Sequence, residues 1–147
     1  MDKRSEQMSS LTRTPPEPKI ERIANLVHRI QNGDIKIPKF QRGFVWDEEK
    51  IIKLLESIYQ GYPIGSLLFW LSDVSMRNER DIGGFELPQT PDKYPRNYVI
   101  DGQQRLTTIY GVLNWPNPKS LHKLNVYFDL DKSKFHHYNG NEEKRHI

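Results

Sequence analysis

The segment Tyr98-Val-Ile-Asp-Gly-Gln-Gln-Arg-Leu-Thr-Thr108 runs a β-rich tripeptide into Asp101-Gly102 and then, at once, into a helical pattern. Backbone N–H groups at a helix N-terminus lack partners inside the helix and carry partial positive charge, so such a junction is a natural cradle for an anion. Gly102 lets a phosphate approach the backbone with no β-carbon in the way. Arg105, one turn into the helix, offers a planar forked donor to phosphate oxygens. Gln103 and Gln104 add neutral donors, and Thr107 or Thr108 adds a hydroxyl. The competing reading is that Asp101 caps the helix while the glutamines and Arg105 are solvated. A glycine and an arginine three apart do not separate the two.

A second segment, Ile37-Pro-Lys-Phe-Gln-Arg-Gly-Phe-Val-Trp46, sets Arg42 among aromatic residues, from where it could reach the same anion. Alternatively, Phe40, Phe44 and Trp46 are core and Arg42 pairs with a carboxylate. If the partner is DNA, Lys36, Lys39 and Arg42 are the candidate phosphate contacts, and Phe40 and Trp46 the apolar walls for an extruded or modified base. His136-His137 and His146 fall in a polar stretch without a ligand set at metal spacing, so neither a metal site nor a nuclease centre is expected there. Asp129 and Asp131 would matter to Mg²⁺ only if the fold carried them to the phosphate site.

These segments must be positioned by one core. The chain has 147 residues, an ordinary length for a single domain. Residues 1–18, with Pro15, Pro16 and Pro18, suggest an unstructured leader, and residues 131–147 a polar tail. Between them, over 19–130, Ile20, Ile23, Ala24, Val27 and Ile30 mark one helical face that ends at Gly33. Residues 34–38 suggest a short strand. Asp47 is a good N-cap for a helix with Ile51, Leu54, Leu55 and Ile58 inward, stopped at Gly61. Residues 64–71 read as a buried strand and 72–96 as a long loop. Residues 97–100 suggest a short strand, Leu106, Ile109, Tyr110 and Leu113 a third helix, and 123–130 the last strand. This order predicts an α+β domain with a small mixed sheet flanked by helices.

Composition narrows the chemistry. There are no cysteines, which excludes disulfides, thiolate metal sites and cysteine nucleophiles. No apolar run approaches the length needed to span a bilayer and no secretory signal is present, so a soluble cytoplasmic protein without a membrane partner is the simplest reading. The excess of 22 Lys+Arg over 19 Asp+Glu permits a nucleic-acid partner without indicating one.

The run IPKFQRGFVWDEEKIIKLLESIYQGYPIGSLLFW, followed by YVIDGQQRLTTIYGVL, resembles the N-terminal domain of GmrSD-type modification-dependent restriction proteins. Similar phage-defence proteins include BrxU and SspE, within the wider ParB/sulfiredoxin-like superfamily. The resemblance extends from about Ile23 to Leu130 and rests on the Phe-Gln-Arg…Val-Trp box, the Gly-Tyr-Pro-Ile-Gly turn and the Asp-Gly-Gln-Gln-Arg box. It implies a ParB/sulfiredoxin-like fold and a nucleotide site, in which Gly102 and Arg105 match the phosphate-holding Gly-x-x-Arg turn. Asp101, Gln103 and Gln104 complete that box, and Arg42 and Pro63-Ile64-Gly65 match the other two. The family domain is associated with NTP hydrolysis, with sensing modified DNA and with control of a separate nuclease. ParB-like members carry acidic or His residues where this chain has two glutamines, and the sulfiredoxin cysteine is missing. Such proteins continue into a long helical region and often an HNH-type nuclease domain, whereas this sequence stops at Ile147.

The expectation is therefore a regulatory domain that binds a nucleoside triphosphate with Mg²⁺, with Gln103, Gln104 and Arg105 as the residues that would support hydrolysis. No nuclease activity is expected of this chain alone. The alternatives are a DNA-binding or modified-base-sensing module without nucleotide chemistry, and an inactive fragment that needs a partner nuclease domain or subunit.

Overall fold

A computed structural model describes residues 15–77, 81–82, 85–87, 95–114 and 122–138. Most of the expected leader and the end of the expected tail lie outside these residues, as does the Trp115–Pro118 segment expected to end the third helix. The first helix, α1 (Ile23–Gln31), buries Leu26 and Ile30. Gly33 follows it with φ of 76°, the left-handed conformation that closes a helix C-terminus. The second, α2 (Glu48–Tyr59), starts where Asp47 accepts a hydrogen bond from Lys50 N at 2.9 Å and buries Ile51, Leu54 and Leu55. The third, α3 (Gln103–Leu113), is buried along most of its length.

The central sheet is three-stranded and mixed, in the order β1 (Ile35–Lys36), β5 (Arg96–Asp101), β2 (Leu68–Ser72). β1 runs parallel to β5 and β2 antiparallel to it. The α+β expectation with a small mixed sheet therefore holds. Leu26, Ile30, Ile35, Ile37, Val99, Leu106 and Tyr110 form the core between the sheet, α1 and α3. Arg29 of α1 braces it from outside, bonded to Glu21 at 2.7 Å and Asp34 at 2.5 Å, with its guanidinium over Phe69. A second apolar cluster joins Ile51 and Leu55 of α2 to Leu124 and to Val126 of a C-terminal hairpin. Phe44 and Trp46, from the loop before α2, pack against that second cluster.

Three expectations change. The strand expected over 64–71 begins only at Leu68, and it is an edge strand rather than a buried one. Phe69 turns to the core while Trp70 stays 48% exposed and Leu71 58%. The expected loop 72–96 contains a two-stranded hairpin, β3 (Asp81–Ile82) with β4 (Phe85–Glu86), whose Ile82 enters the core. The chain also does not leave the fold at residue 130. β6 (Val126–Asp129) is followed by β7 (Lys134–His137), paired antiparallel across the Leu130–Ser133 turn. Asp129 Oδ1 accepts from Lys132 N at 3.0 Å to shape that turn, and Ser133 adopts φ of 52°. Phe135 packs against Phe128 and Tyr59, which gives this polar-looking strand its apolar side. Among the described residues no helix is long and apolar enough to cross a membrane.

Candidate anion-binding cleft

β5 delivers the chain to α3 through a bulge. Leu68 pairs with Asp101 but Phe69 pairs with Val99, so Ile100 is an extra residue on the central strand. A bulge bends its strand and re-aims the residues that follow. Gly102 then turns the chain with φ of 88°, and no side chain caps the helix it starts. The first bond within α3 is Leu106 N to Gly102 O at 2.9 Å, so the N–H groups ahead of it are not consumed by the helix ladder. The reading in which Asp101 caps α3 is thus set aside.

This helix start opens into a cleft of about 460 Å³ lined by Phe40, Gln41, Arg42, Trp46, Ile100, Asp101, Gly102, Gln103, Gln104 and Arg105. The two sequence boxes meet there. Arg42 is exposed on the cleft and has no hydrogen bond or ion pair among the described residues. Arg105 is more constrained. Its Nη2 donates to Ser66 O at 2.6 Å and lies 3.4 Å from Asp101 Oδ2, while its Nε is buried without a partner. A β-carbon at Gly65, which has φ of 84°, would stand 3.3 Å from its Nη1. The Gly-Tyr-Pro-Ile-Gly turn is therefore packed directly on the guanidinium.

The two glutamines of the box separate. Gln104 is only 8% exposed: its Oε1 accepts from Val45 N at 2.8 Å and Trp46 N at 3.2 Å, and its Nε2 donates to Gly43 O at 3.0 Å. Both acceptor positions and one N–H of this amide are therefore engaged by the loop, a structural duty for Gln104 that the sequence did not signal. Gln103 lines the cleft with no side-chain partner among the described residues. Gln41, which sequence reasoning passed over, donates to Val99 O at 2.6 Å and Ile100 O at 3.2 Å, at the bulge. Its place in the Phe-Gln-Arg box was the signal that could have found it.

Other expected site residues lie elsewhere. Thr107 and Thr108 are buried, and the Thr108 hydroxyl donates to Gln104 O at 2.9 Å, because their positions on α3 face the core rather than its N-terminus. Lys36 is 8% exposed within β1, so burial keeps it from DNA phosphates. Lys39 is exposed beside the cleft, Phe40 is 73% exposed at its rim, and Trp46 is half-buried between the cleft and the second core cluster. Asp129 is held in the hairpin turn by Lys132, whose backbone N–H holds its carboxyl below the ordinary aspartate range. Neither it nor Asp131 lines the cleft. His136 stacks on Tyr127, and His137 Nε2 lies 3.0 Å from Glu48 O. Among the described residues no group of three His, Asp or Glu is placed to hold a metal. Among the described residues Asp101 is the single carboxylate on the cleft; one carboxylate together with the oxygens of a bound phosphate would be a donor set that suits Mg²⁺.

Residues 23–146 match the model of the family described as GmrSD restriction endonuclease, N-terminal domain. An uncharacterized protein of Methanocaldococcus jannaschii is 30% identical over 119 residues, covering 75% of this chain. The chain spans only 20% of that relative's length. No solved structure matches the chain.

Proposed function

The chain belongs to the family of GmrSD restriction endonuclease N-terminal domains, and from that membership and the cleft we propose that it binds a nucleoside triphosphate and acts within a restriction or phage-defence protein. The carrying observation is the start of α3: a helix N-terminus without a side-chain cap, opening between Arg42 and Arg105. The peptide N–H groups of its first turn and the Arg42 guanidinium supply donors and positive charge to phosphate oxygens. Arg105 contributes charge from a fixed position, and Gly102 admits the phosphate to the backbone. Asp101 would hold Mg²⁺ on the phosphates. The ion would offset phosphate charge, and Gln103 is the amide left to orient an attacking water. Glutamine is not a strong base, so binding with slow turnover is the expected behaviour. The regulated partner is a nuclease domain or subunit, whose activity would follow occupancy of the cleft.

The test is hydrolysis and equilibrium binding of ATP, GTP, CTP and UTP with Mg²⁺, on the wild type and Arg42→Ala. A second reading is favoured by one observation. Phe40 is 73% exposed beside Lys39 and Arg42, an arrangement suited to stacking an extruded or modified DNA base. That reading gives salt-sensitive DNA binding indifferent to nucleotide, lost in Phe40→Ala.

A further inference from the structure

The loop 42–47 has no regular secondary structure, yet it carries Arg42 to the cleft. Backbone donors and acceptors in such a loop need partners, and here one side chain supplies three of them. Gln104 reads Gly43 O, Val45 N and Trp46 N together, from the first turn of α3. On the other side of Arg42, Gln41 is tied to Val99 O and Ile100 O of β5. Arg42 thus sits between two pinned neighbours, one fastened to the strand and the other to the helix of the same strand–helix junction.

We propose that Gln104 is a positioning residue, whose primary amide sets the loop that presents Arg42 to the anion. The chemistry is specific to an amide. A carboxylate has no donor for Gly43 O, and a guanidinium or ammonium has no acceptor for Val45 and Trp46 N–H. Gln103, the residue before it, lines the cleft with no side-chain partner among the described residues, whereas Gln104 is bound to the loop. The effect on affinity rests on the anion-binding reading above, but the loop geometry does not.

Gln104→Glu separates this role from a merely space-filling one. As a carboxylate, position 104 still accepts from Val45 and Trp46 but faces Gly43 O with a second oxygen. When protonated, it donates to Gly43 O and restores the native pattern. The other charged groups here, among the described residues, are Asp101, Arg42 and Arg105 on the cleft and Lys123, whose Nζ lies 3.5 Å from Phe44 O of the loop; all are present in every variant, so the wild type at each pH is the reference. The experiment uses the full chain with inorganic tripolyphosphate and Mg²⁺ as the probe, and amide hydrogen exchange at Val45 and Trp46. Relative to wild type, Gln104→Ala is expected to bind about tenfold more weakly at every pH. Gln104→Glu is expected to bind about tenfold more weakly near pH 8 and to recover towards the wild-type value as the pH falls through the range of a carboxyl raised by burial and by the facing Gly43 O, with protection factors at Val45 and Trp46 following the same course. Wild-type protection factors in Gln104→Ala, or a pH-independent Gln104→Glu ratio, overturn the proposal. Wild type that fails to bind tripolyphosphate while the exchange pattern holds overturns the anion-binding reading and leaves the positioning role supported.

Discussion

The Nη2 of Arg105 donates to the carbonyl oxygen of Ser66 at 2.6 Å. Through this bond the first turn of α3, which lines the cleft, holds the turn that leads into β2, a segment far from it in the chain. The arginine is a strut as well as a charge. Arg42, exposed and without an ion pair among the described residues, has no comparable structural duty.

The two arginines should therefore separate in experiment. Arg105→Ala is expected to lose about 1 kcal/mol of stability, the net worth of its bond to the exposed Ser66 O, and nucleotide affinity together. Arg105→Lys should recover little, since an ammonium lacks the planar fork. Arg42→Ala should leave the unfolding free energy within about 0.5 kcal/mol of wild type while weakening nucleotide binding. Chemical denaturation and calorimetric titration of the three variants check this, and equal destabilisation by both alanines would refute the division.

Gly102 is required twice over. Its φ of 88° disfavours any L side chain, and a β-carbon there would overlap Leu67 Cδ2 and stand 3.1 Å from Arg105 Nη2. Gly102→Ala is expected to cost about 2 kcal/mol or more and to abolish anion binding. Denaturant titration alongside ligand titration gives both numbers; a variant as stable as wild type would show that the junction relaxes freely.

Within α3, Gly111 presents a case in which helix propensity and packing disagree. Propensity alone favours Gly111→Ala by about 1 kcal/mol. A β-carbon at that position, however, would meet Leu124 Cδ1 at 2.6 Å, and Leu124 is fully buried. Gly111→Ala is expected to destabilise, and the double variant with Leu124→Ala to be less destabilised than the sum of the singles. Additivity within about 0.5 kcal/mol would contradict the contact.

The N-cap of α2 should make stability depend on pH. The backbone N–H of Lys50, helped by its ammonium, holds the Asp47 carboxyl below the ordinary aspartate range. A lowered folded-state pKa contributes stability that is fully present above the unfolded value and lost as pH falls through the folded one. Asp47→Ala is thus expected to lower the midpoint of thermal unfolding by a few degrees at neutral pH, with the gap closing as the solution is acidified through the aspartate range. Asp47→Asn, a good cap without the charge, should show no such closing. Thermal scans of the three proteins across that range decide it.

Much of this architecture was legible in the residues. Asp47, the spacing of Ile51, Leu54 and Leu55, and Gly61 mark α2, and Gly102 before Leu106, Ile109 and Tyr110 marks α3. These signals are local, so the chain displays them without its fold. The edge position of β2 was not legible, because an apolar run such as Leu67–Leu71 looks the same in the middle of a sheet. Nor was β7: Lys134–His137 reads as polar, and Phe135 acquires its meaning only against Phe128 and Tyr59. The roles of Gln41 and Gln104 depend on backbone groups about sixty residues away, which composition and periodicity do not reveal.

A nucleotide phosphate site at the start of α3, completed by Arg42, is what the proposed function stands on. The most direct measurement is the thermal shift of the full chain with ATP, GTP, CTP and UTP in the presence of Mg²⁺, repeated on Arg42→Ala. A ligand that binds the native state alone stabilises by mass action, about 2.7 kcal/mol at about a hundred times its Kd. The expected result is a rise in the unfolding midpoint with at least one nucleotide that is lost or sharply reduced in Arg42→Ala. A midpoint unmoved by every nucleotide, or a shift retained in full by Arg42→Ala, would contradict the claim.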